Sequence, residues 1–452
     1  NAHGLKFAAD AAMRGASVVL WDPAGDARPP ALPSEVFAAA IPHLKTLVGR
    51  IADRFFNWPS QHLRITGITG TNGKTTCAYL LAQCVERLGN AAAYIGTIGW
   101  GRPASLAEPT HTTPDAVTVH RMLAKLRASG VREVAMEVSS HALDQGRVDG
   151  VRFQVAAFTN FTRDHLDYHG TMLKYGEAKA KLFQHTELAH MVLNVDDEFG
   201  RALAQKYSGS ASLIAVSVCG GSDWLAERAL HANEVRLNPR GISIDLDGSF
   251  GKLHLETQLM GRFNAENALV VMACLLSLGV SFHDAANALA ACKPAPGRME
   301  VVQAQARDKP TVVVDYAHTP DALSKALSAA REHCRGSLWC VFGCGGDRDA
   351  GKRPVMGAIA DELADQIIVT DDNPRSEDPQ AITDGILSGM KSRRARVIHE
   401  RGEAIATALT EAQAADVVLI AGKGHEDYQI YGQTRRSFSD RTEALRYLGA
   451  AA

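Results

Sequence analysis

Residues 63–69, Leu-Arg-Ile-Thr-Gly-Ile-Thr, read as a β-strand that runs straight into Gly70-Thr71-Asn72-Gly73-Lys74-Thr75-Thr76, where a helix opens. A glycine turn placed there leaves few architectures open. Its unpaired N–H groups and the helix dipole make an anion site, which belongs at the end of a strand in an α/β sheet. The loop is expected to cradle a nucleoside triphosphate, with Lys74 neutralising the β- and γ-phosphates and the Thr75 hydroxyl holding Mg²⁺. The strict pattern asks for Gly five residues before Gly73, but Ile68 stands there, flanked by Gly67 and Gly70.

The helix after the loop carries Cys77, Leu81, Cys84, Val85 and Leu88 on one face. Strand-like runs at 63–69, 133–138, 151–159 and 191–195 then alternate with amphipathic helices, and 237–258 alternates as a hairpin would. A later block repeats the scheme, with strands expected at 311–314, 337–342, 366–370, 396–399 and 417–421. Before the loop lies a shorter α/β piece, with helix over 7–16, a strand over 16–21 and mostly helix over 33–56. The 452 residues therefore divide into 1–62, 63–298 and 299–452, in keeping with ~150 residues per domain. The fold class expected is α/β in three domains. A partial N-terminal α/β domain precedes a central P-loop ATPase sheet and a C-terminal Rossmann-like, doubly wound sheet. The segment Lys293-Pro294-Ala295-Pro296-Gly297 is the natural hinge. Because the first block opens as if inside a domain, an earlier N-terminal segment is expected.

Composition narrows the function classes. With 48 Lys+Arg against 50 Asp+Glu the net charge is −2, so a general nucleic-acid binder is disfavoured while a local anion site is not. No apolar run approaches the ~20 residues of a membrane span, and no secretory leader is visible. The eight cysteines form no Cys-x-x-Cys pair, so reduced thiols in a cytoplasmic protein are expected. Polar clusters follow strand after strand, at 70–76, 137–141, 160–169, 315–318, 343–353, 371–375 and 422–426. Ligands bind beyond the carboxyl ends of strands in open α/β sheets, so these clusters read as one active site shared by two sheets.

Further residues carry a family resemblance. The loop Gly70–Thr75 resembles the variant phosphate loop of the Mur ligases, the ATP-dependent amide-forming enzymes of peptidoglycan precursor synthesis. The same holds, in register, for Met136-Glu137-Val138-Ser139-Ser140-His141, for Thr159-Asn160-Phe161-Thr162-Arg163-Asp164-His165-Leu166-Asp167-Tyr168-His169 and for Gly261-Arg262-Phe263-Asn264. It continues through Gly297-Arg298-Met299-Glu300, Asp315-Tyr316-Ala317-His318-Thr319-Pro320, Asp372-Asn373-Pro374-Arg375 and Gly422-Lys423-Gly424-His425-Glu426. Within the family the set is most similar to the diaminopimelate-adding branch.

The resemblance implies ATP and Mg²⁺ as cofactors, with Gly70, Thr71, Asn72, Gly73, Lys74, Thr75, Thr76, Asn267, Arg298 and Asp315 around the nucleotide. It implies Thr112, Thr113, Ser139, Gln145 and Arg147 at the UDP-sugar, and His318 near the nucleotide. Thr75, Glu137 and His165 would hold metal, and Lys179 would do so as a carbamate formed with CO₂. Lys74, Glu137, His165 and Lys179 form the implied catalytic set. Without the resemblance Lys179 reads as a helix-surface lysine, and the spacing of His165 and His169, four apart beside Asp164 and Asp167, allows a zinc pair on a helix face, against which no third Cys or His ligand lies close in sequence. Arg147 suits a phosphate, a carboxylate or a surface ion pair.

Diaminopimelate carries a second amino-acid head that lysine lacks, so its selection needs a cation and acceptors. Arg375 and Arg348 supply the cation, and Asp372, Asn373, Gly422 and Glu426 lie with them. The activity implied is addition of meso-diaminopimelate to a UDP-linked muramoyl dipeptide by a cytoplasmic monomer with no membrane span and no nucleic-acid partner. The same chemistry with L-lysine, a folylpolyglutamate synthase and a nucleotide-driven switch are the rival readings.

Overall fold

The computed structural model describes residues 4–24, 31–109, 111–185, 187–209, 211–220, 228–238, 241–302, 309–392 and 394–449. Two sheets dominate it. The larger orders its eleven strands Leu253–Thr257, Gly241–Gly248, Arg228–Asn238, Ser212–Ser217, His190–Asn194, Val155–Phe158, Arg64–Thr69, Glu133–Glu137, Ala92–Gly96, Gly99–Arg102 and Ser105–Ala107. From Arg228–Asn238 to Ala92–Gly96 the strands run parallel, with antiparallel pairs added at both edges. The central strands are buried along almost their whole length, as packing on both faces requires.

One face is covered by the helices Lys74–Arg87 and Phe263–Ser277, the other by Ala116–Ala128. Helix Phe263–Ser277 is apolar all round and buries twelve of its fifteen residues, which places it inside the core rather than on the surface. Register then sets the site. Ile68 pairs with Glu137 and Thr69 with Phe158, so the phosphate loop, Glu137 and residues 159–162 leave the sheet side by side.

The second sheet orders Glu300–Val302, Thr311–Asp315, Val417–Ala421, Leu338–Phe342, Gln366–Val369 and Arg396–Val397. All pairs except the first are parallel. Strand Val417–Ala421 sits between two strands that precede it in the chain. That reversal creates the crevice where ligands bind in such sheets, and the loops at 315–318, 343–353, 371–375 and 422–426 gather there.

The structure corrects several expectations. Residues expected as helix near 37–40 form the strand Phe37–Ala40, paired in parallel with Val18–Trp21, and the helix is confined to Leu44–Phe55. Pairing with a neighbouring strand overrides the helical preference of three successive alanines. The run 151–159 is strand only over Val155–Phe158, and 396–399 only over Arg396–Val397. The hairpin near 237–258 is three-stranded and starts earlier, at Arg228; residues 239–240 lie outside the described residues. Strands Ala92–Gly96 and Ser212–Ser217 add to the expected set, although Gly89-Asn90 and Ser208-Gly209-Ser210 punctuate the chain just before them. No helix among the described residues is long and apolar enough to cross a membrane.

Candidate active site

Gly70 and Gly73 adopt φ of 149° and 83°, values that side chains resist. Space forbids side chains as well: a Cβ at 70 would strike Thr159 Oγ1, and one at 73 would strike Asn267 Oδ1. The loop is fastened to the neighbouring strand end. Thr159 Oγ1 donates to the Asn72 carbonyl (2.6 Å), and Asn160 Oδ1 accepts from Asn72 N–H (2.9 Å). Thr71 Oγ1 accepts from Thr162 N–H (3.0 Å) and lies 3.2 Å from the Tyr175 hydroxyl. Lys74 Nζ folds back to donate to the carbonyls of Gly70 (2.9 Å) and Thr71 (2.8 Å). Burial holds its pKa below the ordinary lysine value.

Glu137 ends its strand with no exposed surface, yet its carboxylate is fully engaged. Oε1 accepts from the Tyr94 hydroxyl and from Thr97 N–H (2.8 Å), while Oε2 accepts from the hydroxyls of Thr75 (3.0 Å) and Thr97 (3.2 Å). Lys179 is no surface lysine. On helix Met172–Ala180 it is 1% exposed, donates to the Gly70 carbonyl (2.7 Å) and lies over the Tyr175 ring. Burial, and then the charge of Lys74, push its pKa well down. A helix-surface reading failed because the loop folds over that face, which spacing within one helix does not reveal.

The residues expected at the UDP-sugar form one patch beside Glu137. Thr113 Oγ1 donates to the Glu137 carbonyl (2.8 Å) and accepts from Ser139 N–H (3.1 Å). Thr112 Oγ1 lies 3.1 Å from Thr97 Oγ1. Arg147 donates to Gln145 Oε1 (2.9 and 2.6 Å) and to the Thr113 carbonyl (2.9 Å), so it forms no surface ion pair. Ser139 Oγ caps helix Ser140–Asp144.

The pairing of His165 and His169 on a helix face is not realised. His165 sits in the left-handed region (φ 52°) ahead of the short helix Leu166–His169, whereas His169 is buried against Ser140 Oγ (3.0 Å). Each ring instead packs against His141.

Across the crevice, Asp315 pins the hinge: its two oxygens accept from the N–H groups of Met299 (2.7 Å) and Ala317 (2.9 Å). The Arg298 guanidinium stacks on the Tyr316 ring, and His318 Nδ1 meets the Tyr316 carbonyl. Asn267 is buried, donates to Asn264 Oδ1 (2.7 Å) and touches Cys77 Sγ, so it braces the loop from behind.

In the cluster meant for the amine, Asn373 Nδ2 donates to Glu426 Oε2 (3.1 Å). Arg375 holds φ 54°; its N–H donates to the Ile430 carbonyl (3.0 Å) and its guanidinium to the Gly346 carbonyl (2.7 Å). A strained non-glycine backbone fixed by its surroundings is a mark of functional loops. Gly422 (φ 119°) lies so close that a Cβ would press on Asp372 Oδ2, whose acid burial raises in pKa. Arg348 is exposed and, among the described residues, bonds only its neighbour's carbonyl, at Asp347 (3.3 Å).

Sequence reading missed several supporting groups. Tyr94 and Thr97 orient Glu137, the buried pair Arg401–Asp440 braces the carbonyls of Asp371 and Ala421, and Lys423 is wholly enclosed. Only Lys423 carried a local signal, an ammonium between two glycines directly after an apolar strand.

A lysine-bearing glycine loop beside a buried carboxylate, faced by a second α/β sheet, places the molecule among the P-loop nucleotide-dependent enzymes. Residues 68–275 match the Mur ligase middle domain, and residues 297–424 match the Mur ligase glutamate ligase domain. The chain is 47% identical over 455 residues to the UDP-N-acetylmuramoyl-L-alanyl-D-glutamate–2,6-diaminopimelate ligase of Alkalilimnicola ehrlichii, covering 99% of this chain and 90% of that one. It is 48% identical over 443 residues to the protein of that name from Chromobacterium violaceum, with 97% and 88% covered. A solved structure titled with that name superposes with a TM-score of 0.72 at 34% identity, covering 98% of this chain and 89% of the other. The chain belongs to the Mur ligase family.

Proposed function

We propose that the chain is the ATP-dependent ligase that adds meso-2,6-diaminopimelate to the γ-carboxylate of D-glutamate in UDP-MurNAc-L-Ala-D-Glu. The observation that carries this reading is the mixed-charge cluster of Asp372, Asn373, Arg375 and Glu426 on the second sheet, matched to an amino-acid head. The names of relatives 46–48% identical over nearly the whole chain support it. With it goes a division at 62 and 298 into a UDP-substrate unit, a central ATP-binding unit and a C-terminal amino-acid-binding unit. A cytoplasmic, monomeric enzyme is the form proposed.

The D-glutamyl carboxylate attacks the γ-phosphorus of ATP, giving an acyl phosphate and ADP. The amine then attacks the acyl carbon, and phosphate leaves as the amide forms. Lys74 and the loop N–H groups hold the charge that shifts onto the departing ADP, by position rather than by covalent catalysis. The donor set suits Mg²⁺ in kind: the hard oxygens of Thr75 and Glu137 meet at 3.0 Å beside the loop, and Mg²⁺ uses one or two carboxylates together with substrate phosphates. When bound, that ion supplies charge neutralisation at the phosphates; His165 is the third donor proposed.

The lowered pKa of Lys179 favours a neutral amine, which can add to CO₂ and lose one proton to become a carbamate. Thr113, Gln145 and Arg147 are the residues proposed to hold the UDP-substrate, and Asp315 and Arg298 those proposed for the nucleotide. The test is phosphate release with ATP, Mg²⁺ and the UDP-linked dipeptide, comparing meso-diaminopimelate, L-lysine and no amine. Release with diaminopimelate and a tripeptide product by mass is expected. Equal release in all three arms would make the chain a bare ATPase or switch, and a preference for lysine would move it to the lysine-adding reaction.

A further inference from the structure

Lys423 has no exposed surface. Its Nζ lies 3.1 Å from Glu426 Oε2, 3.3 Å from Asn373 Oδ1 and 3.8 Å from Asp372 Oδ1, with the Tyr428 ring below. Three of the groups proposed to receive the amino acid therefore meet at one buried ammonium. Asn373 completes a ring by donating to Glu426 (3.1 Å), while its Oδ1 also accepts from Ile430 N–H (3.0 Å). The backbone leaves the lysine no latitude. Gly422 N–H donates to the Asp315 carbonyl (3.0 Å), and a Cβ at Gly424 would strike Tyr316 and the Gly297 carbonyl.

Charge decides what this enclosure accepts. Asp372 and Glu426 bring two negative charges, and Lys423 and Arg375 bring two positive ones; Arg401 is already matched by Asp440 (2.6 Å). A balanced pocket suits a zwitterionic amino-acid head, with one carboxylate and one ammonium. A bare ammonium would add an uncompensated positive charge beside the buried Lys423 and Asp372, and that is costly.

Resting on the reading that this cluster takes the distal head of diaminopimelate, we propose that Lys423 is a positioning residue for amine capture. It fixes Asn373 and Glu426 in place and sets the charge balance that favours a zwitterionic head over a bare ammonium.

The test is steady-state kinetics of the whole enzyme and its Lys423→Met and Lys423→Arg variants, varying meso-diaminopimelate, L-lysine, ATP and the UDP-linked dipeptide in turn. Lys423→Met is expected to raise KM for diaminopimelate about tenfold or more, leave KM for ATP within about twofold, and lower the preference for diaminopimelate over lysine. Lys423→Arg keeps the charge, but its broad planar group cannot reach Asn373 and Glu426 from the same enclosed slot. A smaller rise in diaminopimelate KM, about threefold, is expected, with the preference retained. If Lys423→Met does not fold, the arginine variant decides alone. An unchanged diaminopimelate KM in whichever variant folds, or losses that run in parallel for both amines and ATP, would overturn the proposal. Absence of diaminopimelate-dependent turnover in the unmodified enzyme would instead overturn the functional reading on which it rests.

Discussion

Each of the two sheets encloses one lysine almost completely, and the two enclosures are opposites. Lys179 meets a backbone carbonyl and an aromatic face, and the charged group that shifts it most is another lysine, Lys74, ahead of Asp164. Lys423 is ringed by Asp372, Asn373 and Glu426. Burial alone therefore does not define a lysine's task. At Lys179, with another lysine as the stronger charged influence, it drives the amine toward neutrality and reactivity; at Lys423, beside two carboxylates and an amide, it makes the side chain the meeting point of its surroundings.

Removing charges one at a time sharpens or breaks that contrast. The largest effect is expected from Lys74→Ala, which should cut diaminopimelate-dependent phosphate release by about 10³-fold or more, because charge on the transferring group goes uncompensated. Lys179→Met should cost about 10²-fold in kcat, as for loss of one electrostatic contributor, and stripping CO₂ and bicarbonate should reversibly lower the rate of the unmodified enzyme. The same variant should keep or raise the melting temperature, since an apolar chain replaces an amine that burial penalises. Lys423→Met should lower it by several degrees by leaving buried carboxylates unpaired. Melting curves showing the reverse order would end the comparison.

Next comes Arg375→Ala, expected to raise KM for diaminopimelate by about 10- to 30-fold, the loss of one charge-assisted contact, with KM for ATP unchanged. The smallest effect concerns Glu266, half-enclosed beside Asn194, whose pKa burial and then Asp196 raise from 4.5 to about 7. Its raised value means that the folded state holds the proton more tightly than the unfolded chain. Stability from this group is complete below pH 4.5 and is lost as pH rises through about 7. Glu266→Gln should flatten that slope and raise the melting temperature at pH 8, as pH-dependent calorimetry would record.

Much of this was legible because the information was local. The strand, glycine turn and helix around Lys74 are contiguous, and the apolar runs of the second sheet announce themselves. Motif residues in separate loops could be grouped because the carboxyl ends of parallel strands share one edge. What stayed hidden depended on contacts distant in sequence. The enclosure of Lys179 comes from a loop about a hundred residues earlier, separated by 109 positions from Gly70. The Phe37–Ala40 strand exists only because Val18–Trp21 lies alongside it. The resemblance to the Mur ligases named Lys179 before its surroundings explained it, whereas Lys423 was quoted within a motif and given no task.

The bracing of Gly73 by Asn267 also has a consequence in time. A ribosome that has just finished the phosphate loop must add about 190 more residues before the buried helix that completes the loop exists, some 10–40 s of synthesis at ordinary rates. Until then helix Lys74–Arg87 alone covers one face of the nascent sheet, and the apolar surface left bare is of the kind that exposes a growing chain to aggregation.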